Sequence, residues 1–97
     1  MEKQKIYSKA LSTYGREHQM LICIEECSEL IKSLTKYCRI GVDLEYEECG
    51  KAVKSIAEEI ADVKIMIEQI TMALDIHGEV NRQQLIKLER LEKRLYE

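Results

Sequence analysis

The chain has 97 residues, four glycines, no proline, no tryptophan and no phenylalanine, with a formal net charge of −3. That length accommodates one domain over residues 1–97, and the composition favours helix over a β-rich fold. Charged residues make up 34% without the basic excess of a general nucleic-acid binder, and no apolar run of about 18 residues predicts a membrane-spanning helix; MEKQKIYSKA lacks the apolar stretch of a secretory signal, so the expected compartment is the cytoplasm.

The glycines divide the chain into helical segments. The first, roughly residues 3–13, is short and modestly amphipathic. The second runs from about Glu17 to Arg39, with Met20, Ile24, Cys27, Ile31, Leu34 and Cys38 recurring at steps of four and three as one stripe of a helix. A loop is expected around Gly41 and Val42, with Asp43 as N-cap of a short helical piece; at Gly50 the chain either breaks or is merely weakened. A third segment, about Lys51 to Ile76, carries the stripe Val53, Ile56, Ile60, Val63, Ile67, Ile70 and Leu74. Its other faces hold Ala57, Ala61, Ile65, Met66, Met72 and Ala73, so it is expected to be covered on several sides. The last segment, about Glu79 to Tyr96, has Leu88, Leu91 and Leu95 on one side and Lys87, Arg90 and Arg94 on another. The expected architecture is an all-α antiparallel bundle of about four helices. A helix of about 24 residues is roughly 36 Å long, too long to be covered within one small chain, so a homo-oligomer, dimer or tetramer, is expected.

The four cysteines, Cys23, Cys27, Cys38 and Cys49, form no Cys-x-x-Cys pair, and two thiols one turn apart do not close a zinc site. They read as small apolar fillers.

The carboxylates are more informative. EECSE at 25–29 and EEIAD at 58–62 share the pattern Glu-Glu-x-x-acid. Residues three apart are neighbours on a helix surface, so Glu26 and Glu29 project together from the second segment, and Glu59 and Asp62 from the third. If these helices pack antiparallel, four acids converge. Two like charges about 4 Å apart repel by about 1 kcal/mol in water and about 4 kcal/mol at an effective dielectric of 20, in a domain whose whole stability is about 5 to 15 kcal/mol. A counter-charge is therefore required, and oxygen-only donors suit a hard cation, Mg²⁺ or Mn²⁺. Mg²⁺ commonly recruits substrate phosphates, which points to a phosphorylated substrate. The plainer alternative is a solvated acidic face, because Glu26 and Glu29 lie opposite the Ile24/Ile31 stripe. Asp62 fits that alternative less well, since it sits in an apolar run whose charges need partners if buried. A di-iron bundle would need Glu-x-x-His on two helices; His18 and His77 stand alone, and no P-loop, dinucleotide fingerprint or nucleophile elbow is present.

EECSE (25–29) followed by EIAD (59–62), with YGREHQM ahead and the basic QLIKLERLEKRL behind, resembles the MazG-like all-α nucleoside triphosphate pyrophosphohydrolases over about Tyr14 to Arg94. The stretch between the two acidic motifs, Leu30 to Glu58, is longer than in that pattern. The resemblance implies Mg²⁺-dependent cleavage between the α and β phosphates of a nucleotide. It implies Glu26, Glu29, Glu59 and Asp62 as metal ligands and Glu25 as the residue that orients or deprotonates the attacking water. It further implies Lys87 or Arg90 as triphosphate contacts, with Gln19 a candidate contact to base or ribose. Two other functions fit the same residues: phosphoribosyl-ATP pyrophosphohydrolase, and a helical interaction protein that keeps the bundle without catalysis.

Overall fold

A computed structural model of the chain describes residues 1–40 and 46–97. Four helices make up the described part, with no strand among them: α1 (Lys3–Tyr14), α2 (Arg16–Ile40), α3 (Tyr46–Ala73) and α4 (His77–Tyr96). None is long and apolar enough to cross a membrane. The loop expected at Gly41 and Val42, and the Asp43 cap, lie outside the described residues. Gly50 lies inside α3 and does not break it, whereas the division expected at Gly78 is present, the chain turning at residues 74–76 just before it. An exposed helical glycine costs only about 1 kcal/mol relative to alanine, which neighbouring turns absorb.

α2 and α3 form a long antiparallel hairpin, and α1 lies against both. Between α1 and α2 a single residue, Gly15, turns the chain with φ 89° and ψ 155°. That conformation is open to glycine and strained for residues with a Cβ. Its N–H donates to the Leu11 carbonyl and its carbonyl accepts from the Gln19 N–H, so both helices are capped through one residue. α1 is held to α3 by Tyr7, which is buried and whose hydroxyl donates to the Glu68 carboxylate. Lys3 adds an exposed ion pair to Glu68 at 3.4 Å. The hydrogen bond to Glu68, then burial, pushes the Tyr7 hydroxyl up to about 12, and the same hydrogen bond holds the Glu68 carboxyl below the ordinary carboxylate range.

Among the described residues the buried apolar core is small, with Tyr7, Val63 and Met66 as its members. The stripe expected to lie inside on α2 does not, for Ile24 and Ile31 remain about two-thirds exposed, at 65% and 64%. Several stripe positions of α3, Val53, Ile60 and Ile67 among them, are also exposed. The reason is the face the hairpin closes on, which is a row of polar pairs described below.

α3 ends in a Schellman turn. The Ile76 N–H bonds to the Thr71 carbonyl and the Asp75 N–H to that of Met72, with Asp75 left-handed at φ 52°. The turn aims α4 away from the hairpin, so α4 packs against α3 alone and buries no residue. The radius of gyration is 16.9 Å, against about 12.5 Å for a compact chain of this length.

Two predictions follow from these joints. Gly15→Ala meets no atom within 4 Å, so its cost is conformational; urea unfolding should show a loss of about 1 to 3 kcal/mol. Tyr7→Phe should cost about 1.5 to 3 kcal/mol at neutral pH, the usual worth of a hydrogen bond to a charged group. Because the folded Glu68 carboxyl titrates below its unfolded value, the stability it adds is present above the ordinary carboxylate range and is lost as pH falls. The gap between wild type and variant should therefore narrow toward low pH.

Candidate metal centre

Two polar pairs and a trio of acids between them line the seam between α2 and α3. Gln19 and Gln69 are both buried, and Gln19 Nε2 donates to Gln69 Oε1 at 2.9 Å. Glu26 meets Glu59 and Asp62 one heptad along. Ser33 and Ser55 meet at 3.0 Å one heptad further. The spacing is seven residues on each helix, 19–26–33 upward against 69–62–55 downward, which is the repeat of two helices facing each other along one seam. Glu26 therefore lies on the inward face of α2, not on a solvated face opposite the core.

Glu26, Glu59 and Asp62 each offer a carboxylate oxygen within 4.8 Å of the others. Glu26 and Glu59 are half-buried and Asp62 is exposed, so the group opens to solvent on one side. Burial, then the charges of Asp62 and Glu59 and a hydrogen bond shared with Asp62, hold the Glu26 carboxyl above the ordinary carboxylate range, and Glu25 adds to this. Three carboxylates and no nitrogen or sulfur make a donor set suited to a hard divalent cation, and the residues present fit one. An incoming cation would offset the burial and repulsion that hold the Glu26 carboxyl above the ordinary range.

The structure thus brings together three of the four acids expected to converge. Glu29 lies one turn further along α2, exposed and outside that group. Glu25 is exposed beside Glu26. Gln19 is buried with its amide engaged, Oε1 lying 2.9 Å from His18 Nδ1 and Nε2 bonded to Gln69. Lys87 and Arg90 are exposed on α4, which does not contact α2. Sequence reasoning missed Gln69, Ser33 and Ser55. Their signal was there to find: two polar rows at heptad spacing, mirrored between α2 and α3. No family model, curated protein or solved structure matches this chain.

The sign of the electrostatics can be checked. A carboxyl raised in the folded state adds stability below its unfolded value, and that stability is lost as pH rises through the raised value. Asp62→Asn removes the largest charge acting on Glu26. It should raise stability at neutral pH by up to about 1 kcal/mol, the scale of one like-charge contact in a water-like setting. The gain should fade below the carboxylate range, and thermal melts from about pH 3 to 8 check both statements.

Proposed function

We propose that the chain is a Mg²⁺-dependent nucleoside triphosphate pyrophosphohydrolase, releasing a nucleoside monophosphate and pyrophosphate, with Mn²⁺ as an alternative ion. The observation that carries this reading is the convergence of Glu26 with Glu59 and Asp62 from two helices, in the order of the acidic motifs EECSE and EIAD. It is supported by an all-helical frame and by the one-sided opening of the acid group, through which a phosphate chain could reach a bound ion.

Glu26, Glu59 and Asp62 would hold the divalent ion. When bound, such an ion polarises phosphate oxygens and lowers the pKa of a coordinated water. The rest is done by the chain's own residues. Glu26 and Glu59 come from separate helices, so the α2–α3 packing sets their spacing before any ligand arrives, which is the preorganisation that electrostatic catalysis needs. In this proposal the exposed Glu25 carboxylate orients the attacking water or accepts its proton. Glu29, on the same helix one turn on, would join the ligand set through a water or a rotamer change. Lys87 and Arg90 lie on α4, which does not contact α2, so they would meet the triphosphate only if α4 swings toward the acids. Their fixed positive charge would then offset the charge that develops on the leaving pyrophosphate. Gln19, its amide taken up by Gln69 and His18, is better suited to bracing the neighbouring wall than to reading a base.

A panel of the eight common NTPs and dNTPs with Mg²⁺ or Mn²⁺, scored for monophosphate and pyrophosphate, tests the activity; phosphoribosyl-ATP belongs in the same panel. Wild type should turn over at least one nucleotide, and Asp62→Asn should lose 100-fold or more in kcat/KM while melting no lower than wild type. Absence of turnover on every substrate, with no Mg²⁺-dependent rise in Tm, would leave the chain as a helical interaction protein.

A further inference from the structure

The proposed reaction makes no use of Cys23 and Cys27, yet the fold puts them together. They stand four residues apart on α2, where side chains of successive turns lie one above the other with Cβ atoms about 5 to 6 Å apart. Both are half-buried and both carry a free thiol. Burial, then the neighbouring Cys27 thiol, push the Cys23 thiol up, so the two sulfurs lie close enough to act on each other.

Both thiols line one groove of about 470 Å³, open to solvent and lined further by Met20, Ile24, Ser28 and Ile70. The donors it offers are narrow in kind. The isoleucines have none. The Ser28 hydroxyl is turned to the Glu25 carbonyl of its own helix at 2.7 Å, and the main-chain groups of α2 are taken up by its helical ladder. What remains is sulfur, two thiols with the Met20 thioether one turn before them. Glu26, Glu59 and Asp62 gather at the seam and do not line this groove.

A hard cation therefore finds nothing to hold it here, and zinc wants four ligands in a tetrahedron, which this wall does not supply. Thiolate and thioether donors select Cu(I). Two metal–sulfur bonds of about 2.3 Å placed end to end span about 4.6 Å, a distance that side chains on adjacent turns can bracket while the helix stays wound. Charge points the same way. Two bare thiolates in an apolar groove would carry two negative charges at a steep desolvation cost, whereas one monovalent ion between them leaves a single charge.

We propose that Cys23 and Cys27 hold one soft monovalent cation of the Cu(I) class between their sulfurs. Binding exchanges two S–H bonds for two S–Cu bonds and releases two protons to solvent, with no change of oxidation state. The site does not depend on the proposed hydrolase activity. Oxygen donors face the seam and sulfur donors face the groove, so one helix sorts ions by hardness on two of its sides.

Anaerobic titration of the full reduced chain with Cu(I), against a chromophoric chelator, tests this. One ion should be taken up per chain. Cys23→Ser or Cys27→Ser should weaken binding by at least about 100-fold, beyond the roughly 10- to 100-fold cost of losing an outer-shell partner, while Cys38→Ser with Cys49→Ser should leave it within about 3-fold. On the wild type, one equivalent of Cu(I) should shield Cys23 and Cys27 from alkylation and leave Cys38 and Cys49 open, as read by peptide mass. One equivalent of Zn²⁺ should shield neither groove thiol. Shielding that falls on Cys38 or Cys49, shielding by Zn²⁺ equal to that by Cu(I), or one ion shared between two chains overturns the proposal. If a serine variant loses its helical circular dichroism, the alkylation pattern of the wild type decides alone.

Discussion

The constraint on which the rest depends is the polar seam between α2 and α3. Gln19 with Gln69, Glu26 with Glu59 and Asp62, and Ser33 with Ser55 occupy successive heptads of one antiparallel contact. Apolar side chains pack in many registers at similar energy, whereas buried amides must find partners, and an unpaired one costs about 1 to 3 kcal/mol. Sliding α3 past α2 by one turn would separate Gln19 from Gln69 and the two serines at once. Polar residues at seam positions are known to specify register at some expense in stability, and this hairpin follows that logic along three layers.

Turning polar residues inward sends apolar ones outward. With Gln19, Glu26 and Ser33 facing α3, the Met20–Ile24–Ile31 side of α2 is displaced around the helix and left open. Among the described residues, the core that remains is Tyr7, Val63 and Met66 with a few half-buried neighbours, a thin layer. Local devices hold the pieces in place instead: a glycine joint at Gly15, a tyrosine–carboxylate clasp at Glu68, and a Schellman turn at Asp75. The same inversion that builds the seam thus leaves the molecule extended and rich in uncovered hydrophobic surface.

The acidic layer is the one place where the seam works against stability. The amide and serine layers satisfy themselves, but three carboxylates gathered within 4.8 Å do not, and burial and mutual repulsion raise the Glu26 carboxyl. Local rules are usually broken where a protein does something other than fold. The amide layer on one side and the serine layer on the other hold the two backbones at the distance that brings these acids together.

Much of this was legible in the sequence. Helical periodicity, the absence of proline and the glycine spacing were enough for four helices. Glu-Glu-x-x-acid repeated on two of them, read with the three-and-four rule, brought Glu26 toward Glu59 and Asp62 only on the condition of antiparallel packing, left a solvated face open for Glu26, and drew in Glu29, which the structure leaves outside the group. Glycine was read as punctuation, and Gly50 shows the limit of that rule, since whether one glycine ends a helix depends on the turns around it. Which face of α2 would turn inward was decided only by packing. Periodicity states which side chains share a face, but the buried face is the one whose partner offers matching hydrogen bonds, and that partner lies dozens of residues away. The direction of α4, and hence the distance of Lys87 and Arg90 from the acids, was likewise set by main-chain hydrogen bonds at residues 71–76, which any sequence able to place one residue in the left-handed region can form.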